Sequence, residues 1–144
     1  MAGNTINFED NSGVFLAELE KKKEQILTMI GLKAASNAQE LAPVGKEEST
    51  GIKGYRGGTL RNSITYRVID GNTVEVGSNV EYAPYVELGT GPHFVPPPEW
   101  ERFEAEKGKG VGKAYVQPRP FIRPAIEDHK EEYKDIAENV LKRK

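Results

Sequence analysis

A single amphipathic stretch from residue 12 to about residue 42 constrains this chain more than any other feature. Leu16, Leu19, Leu27, Ile30, Ala34, Ala38 and Leu41 recur at spacings that fit one face of a helix, with Lys23 as the one polar gap. Asp10 or Ser12 can cap the start by accepting a backbone N–H bond. Pro43 ends the helix, because proline disfavours the helical conformation of the residue before it. Gly31 costs about 1 kcal/mol in a helix interior and predicts a bend. At 1.5 Å per residue the helix is ~45 Å long. A chain of 144 residues collapses to a radius of gyration of only ~15 Å. One end of the helix must therefore project, and the charged run 20–24, with its lysines, suits the projecting part.

Residues 62–78, NSITYRVIDGNTVEVGS, predict a β-hairpin. Ile64, Tyr66 and Val68 alternate with Thr65 and Arg67, and Val74 and Val76 flank Glu75. Between the two runs, Asp70, Gly71 and Asn72 tolerate the positive φ of a tight turn. Two strands alone are not stable, so a further strand is expected, with residues 115–119 the best candidate. Residues 124–142 predict a last helix with Pro124 in its first position and Ile126, His129, Tyr133, Ile136 and Val140 as its buried stripe. Glu127 and Asp128 at its start and Lys142, Arg143 and Lys144 at its end match the macrodipole. The fold class is α+β: a long N-terminal helix and a C-terminal helix packed on a small antiparallel sheet, with long loops at 44–58 and 92–116. The 15 glycines and 9 prolines crowd into those loops. The length fits one domain over residues 1–144, with 1–11 as a flexible lead.

Composition narrows the function. With 20 Lys and Arg against 22 Asp and Glu, the net charge is −2, where a nucleic-acid module normally shows a positive excess. Cysteine is absent, which removes disulfide scaffolds, thiolate zinc sites and thiol catalysis together. The start MAGNTINFED lacks the basic and apolar regions of a signal peptide, and no apolar run reaches the ~18 residues of a membrane span. An intracellular, soluble protein with no membrane partner is the expectation.

The chemical motifs fail one by one. GKGVGKA at 108–114 has Lys107 where a phosphate loop needs glycine and Ala114 where it needs a hydroxyl. It reads as a loop whose Lys107, Lys109 and Lys113 face DNA at most nonspecifically. Glu87 and His93 would make an acid–base pair, with Thr90 or Ser78 as nucleophile, but nothing near His93 in sequence orients it. No Asp-x-Asp or His-x-x-x-His spacing offers a metal site. The run VPPPEW at 95–100 could be a polyproline ligand for an aromatic groove, but its shortness favours a stiff spacer. No catalytic, cofactor or metal residues are expected, and the chain reads as a non-enzyme.

Three segments in order, GGTLRNSI at 57–64, YAPYVELGTG at 82–91 and QPRPFIRPAIED at 117–128, follow a long helix that ends in Ala42-Pro43-Val44. Together they resemble the tail-completion and minor tail (head–tail joining) proteins of long-tailed bacteriophages. The resemblance spans residues from about 34 to the C-terminus, and residues 45–58 form an excursion that the family pattern lacks. It implies a non-catalytic virion assembly protein at the tail or neck, assembled in the host cytoplasm. Copies, six by the resemblance, would form a ring at the head-proximal end of the tail. The ring would dock to the head-completion (neck) protein and the tail tube, and DNA would pass through without specific binding. Arg61, Tyr82, Tyr85, Glu87, Thr90, Arg119, Phe121 and Arg123 are the interface residues this reading nominates. Within the chain, Glu87 is the expected partner of Arg61, since a carboxylate among apolar neighbours needs one if buried. The main alternative is a small nucleic-acid-binding or regulatory domain using Lys53, Arg56, Arg61, Lys107, Lys109 and Lys113. A hydrolase built on Glu87 and His93 is the second.

Overall fold

The computed structural model describes residues 3, 5–45, 53, 57–89 and 117–143. Helix α1 spans Ser12–Leu41, a short helix α2 spans Thr59–Ser63, and strands β1 (Thr65–Ile69) and β2 (Thr73–Gly77) follow. Helices α3 (Ala83–Leu88), α4 (Ile122–Glu127) and α5 (Lys130–Lys142) complete the described elements. The fold is α+β, with α1 lying against both strands, α2, α4 and α5.

Helix α1 begins where Asp10 Oδ1 accepts the backbone N–H of Ser12 at 3.0 Å and ends where Ala42 turns extended ahead of Pro43. Only its C-terminal half is covered. Gly31, Ala34, Ala35, Asn37 and Ala38 are buried, whereas every residue from 11 to 21 is exposed. The projecting end is thus the N-terminal one. Leu16 and Leu19, expected in the buried stripe, stand on that projection, Leu16 with 58% of its surface exposed. Leu41 is also exposed; the last turn packs through Ala38 and Ala42 instead.

Gly31 owes its place to the hairpin. A Cβ there would lie 2.4 Å from Cδ2 of Tyr66 and 2.8 Å from Cγ2 of Val74. The missing side chain lets the helix backbone approach the sheet, a role different from the bend its helix propensity suggested. The hairpin itself is antiparallel, with Tyr66 opposite Val76 and Val68 opposite Val74 on one face. Arg67 and Glu75 pair on the other, their side chains 2.9 Å apart. Asp70 and Gly71 both have positive φ, and Asn72 N–H donates to Ile69 O at 3.2 Å, the pattern of a type I′ turn. Among the described residues the sheet has two strands. Of the expected third strand, residues 117–119 belong to no strand, and 115–116 lie outside the described residues. Helix α1 supplies the cover that a bare hairpin lacks.

Two further expectations change. Residues 62–63, expected in the hairpin, instead close α2, which starts after Gly58 at φ 118°. Leu60 and Ile64 both reach the core, and a spacing of four shares a face in either helix or strand. The single last helix is divided at Asp128–His129 into α4 and α5. Pro124 therefore sits in the third position of α4 rather than the first of a long helix. Glu127 and Asp128 close α4, and Glu131 and Glu132 form the acidic first turn of α5. Ile126 is exposed and His129 half-buried, while Val140 is fully buried.

Most of the core is small. Ala35, Ala38, Ala42, Ala83 and Ala125 surround Leu60, Ile64 and Phe121. Phe121, 1% exposed, is the largest side chain sealed in it. The excursion after Val44 leaves and returns at one place, since a Cβ on Gly57 would lie 2.0 Å from the carbonyl oxygen of Gly45. Apart from residues 44–45, 53 and 57–58, the expected loops 44–58 and 92–116 lie outside the described residues.

Candidate functional site

The two segments YAPYVELG and PRPFIRPA, more than thirty residues apart, meet through one carboxylate. Glu87, near the end of α3, reaches the start of α4. Its Oε2 accepts the backbone N–H of Phe121 at 2.6 Å and of Ile122 at 3.0 Å. Its Oε1 accepts that of Arg123 at 2.9 Å. Phe121 is the N-cap residue of α4 and no side chain next to it in sequence performs the capping. The next position is Pro124, which has no N–H to satisfy. One distant carboxylate thus accounts for every free donor of this helix start, where the helix dipole also favours negative charge. Arg119 N–H adds a bond to Val86 O at 2.7 Å. Gly89 follows α3 at φ 77°, so the chain can reverse directly after the carboxylate.

The expected Arg61–Glu87 ion pair does not form, because both oxygens of Glu87 serve the backbone. Arg61 Nε instead donates to Gln39 O at 3.0 Å, satisfying a carbonyl in the last turn of α1. Gln39 answers with a bond from Nε2 to Ile64 O at 3.1 Å.

The nominated interface residues therefore divide. Phe121 is core, and Glu87 is a half-buried latch. Tyr82, Arg61, Arg119 and Arg123 are exposed and Tyr85 is half-buried. Tyr85 lies on α3 and Tyr82 is its N-cap, and Val86 and Glu87 of that helix hold the 119–123 segment, so the two tyrosines and two arginines belong to adjoining segments. Thr90, His93, Arg56, Lys107, Lys109 and Lys113 lie outside the described residues.

A latch missed by sequence reasoning closes the other end of the helical layer. Lys22 Nζ donates to Arg143 O at 2.5 Å, at the carbonyl end of α5. Lys23 pairs with Glu20 at 2.9 Å and donates to Asn72 Oδ1 at 3.0 Å in the hairpin turn. The lysine run 21–23 was legible, but its partners lie about fifty and 120 residues away.

Little here supports chemistry. Glu132 bridges Lys33 at 3.2 Å and His129 at 2.9 Å, and its hydrogen bond with His129, then that with Lys33, hold its carboxyl below the usual carboxylate range. The trio sits on an open surface. Ser78, a nucleophile candidate, shares a hydrogen bond with Ser63 and accepts Val80 N–H at 3.1 Å, which are structural uses. Among the described residues no group of three or more His, Asp or Glu could hold a metal ion. No described helix is long and apolar enough to cross a membrane.

Residues 7–89 match one protein-family model, HK97-gp10-like, described as "Bacteriophage HK97-gp10, putative tail-component". Searches of curated proteins and of solved structures return no match. The matched span runs from the projecting arm through α1, α2 and the hairpin to the end of α3, more than half of the chain. The chain belongs to the HK97-gp10-like family of phage tail components.

Proposed function

We propose that this tail component is a tail-completion protein, which caps the head-proximal end of a phage tail as a ring of six copies and docks to the head-completion (neck) protein. The observation that carries the reading is the bare N-terminal end of α1. Val14, Phe15, Leu16 and Leu19 are all exposed there, and a monomer gains nothing from holding apolar side chains in water. A protein that completes a tail needs contact surface on several sides, and the arm is only one. The surface on α3 and the 119–123 segment presents Tyr82, Tyr85, Arg119 and Arg123, residue types that anchor interfaces. We assign it to the contact with the neck protein. Thr90 adjoins it in sequence, and Arg61 contributes from α2.

The role proposed is non-catalytic, and the protein joins the virion after folding in the host cytoplasm. A net charge of −2 suits a ring through which DNA slides, since a basic lining would hold phosphates at every step. Of the cations the nucleic-acid-binding alternative would use, Lys53 and Arg61 are described and exposed, and what speaks against that alternative is the net charge of −2. Purified protein mixed with isolated tail tubes is the test. Negative-stain images should show added density at one end of each tube, and Tyr82→Ala/Arg119→Ala should abolish attachment of neck-bearing heads while leaving that density. Protein that ignores tubes, or binds DNA with a steep salt dependence, overturns the reading.

A further inference from the structure

The apolar stripe of α1 does not stop where its cover stops. In the body, the stripe is covered by the hairpin on one side and by α4 and α5 on the other. It continues past Lys22 into Leu19, Leu16 and Phe15, with Val14 beside them, and beyond the helix come Phe8, 87% exposed, and Ile6, 92% exposed. The exposed area of these six side chains is on the order of 700 Å², close to the ~800 Å² that one partner contributes to a standard interface. Residues 12–19 cannot fold back onto their own body, because they continue a helix pinned at Lys22 and Lys23.

The same chain also carries an open trough of about 620 Å³, lined by Tyr66, Val74 and Val76 of the hairpin and by Ile126 of α4. Ile126 is an exposed large apolar residue. Tyr66 and Val74 already meet α1 of their own chain at Gly31, and the half-buried surface that the hairpin leaves open beside Ile126 is the apolar part of the trough.

We propose that the arm of one copy, residues 6–19, lies in the trough between the hairpin and Ile126 of the next copy. Each subunit gives an arm to one neighbour and receives one from the other. Donor and acceptor are different surfaces, so the contact is heterologous and closes only as a ring. The inference rests on the ring reading above for the number of copies, but the contact itself needs only a second copy of this chain.

Sedimentation of the full-length chain over a concentration series tests it. Wild-type mass should rise with concentration. Phe15→Glu/Leu19→Glu in the arm and Ile126→Glu in the trough should each weaken association by about a hundredfold, as expected for loss of a buried anchor. All three positions are exposed in the single chain, so folding should survive, which circular dichroism checks. The deciding sample mixes the two variants. One retains a sound trough and the other a sound arm, so they should pair one to one and grow no further. Wild type that stays monomeric, variants that associate like wild type, or variants that fail to pair when mixed overturn the exchange. The tail-tube assay separates the two failures. Arm variants that still cap tails sink the exchange alone, and wild type that forms rings but ignores tails and heads sinks the tail-completion reading alone.

Discussion

Glu87 holds three backbone donors of the α4 start, and among the described residues no other side chain caps that start. Glu87→Ala leaves those donors half-buried without an acceptor and should cost about 3 kcal/mol in urea denaturation, with Glu87→Gln in between, since an amide keeps one acceptor oxygen. A loss under about 1 kcal/mol would mean that another group takes over the cap. Gly31 makes the opposite kind of contribution, through absence. Gly31→Ala gains roughly 1 kcal/mol of helix propensity but drives a methyl group into the Tyr66 ring, and overpacking of that kind costs about 1–3 kcal/mol. The net change should be destabilising in thermal melts, and much smaller in a Tyr66→Ala/Val74→Ala background, where both obstacles are gone. Neither role was legible beforehand, and for one reason. The sequence around Gly31 reports helix propensity, and that around Glu87 reports a carboxylate in need of a partner. The identity of the partner depends on which distant segment the fold delivers. Arg61 was a chemically sound candidate for Glu87 that lost to three backbone amides arriving from 34 to 36 residues away.

The hairpin was readable as an element because its period of two and its Asp-Gly turn point to one answer. Helix α2 was not, because Leu60 and Ile64 lie four apart, a spacing both periods accept. The break between α4 and α5 also escaped the pattern, which runs through Asp128 and His129 without a Gly or Pro. Once broken, the two helices are tied by Tyr133 of α5, whose hydroxyl donates to Ala125 O in α4 and accepts from Asn37 Nδ2 of α1 at 3.1 Å. Burial, the largest cause, raises the pKa of this phenol above its ordinary 10.0. The unfolded chain then ionises first. The contribution to stability is whole below pH 10 and is lost as the pH climbs from there to the folded value. Urea midpoints across the alkaline range should therefore fall more steeply for wild type than for Tyr133→Phe, which has no proton to lose. At neutral pH the phenylalanine variant should be weaker by about 1 kcal/mol, because Asn37, itself buried, loses its acceptor. Parallel pH profiles would show that burial does not hold this phenol protonated above its ordinary range.

At the scale of the whole molecule, length alone required α1 to project, since a helix of thirty residues outruns a globule of this mass. Which end projects is decided by side-chain size. Leucines recur along the entire stripe, but Gly31, Ala34, Ala35 and Ala38 cluster in the second half, and only there can another layer approach the backbone closely. The structure accordingly sets a boundary at Lys22 and Lys23. On the body side, α1 is packed and both lysines hold distant partners. On the other side, residues 11–21 are exposed throughout. Two truncations locate that boundary. Among the described residues, deleting 2–18 removes exposed chain only, so the urea stability of the monomer should change by less than ~1 kcal/mol, while concentration-dependent association disappears. Deleting residues 2–23 also strips the carbonyl cap from α5 and the tie to Asn72, and should cost a further 1–2 kcal/mol or so. The step in stability must fall between the two cuts, and the step in association before the first. If the shorter deletion destabilises the monomer as much as the longer one, the arm is part of the body and has nothing to lend a neighbour.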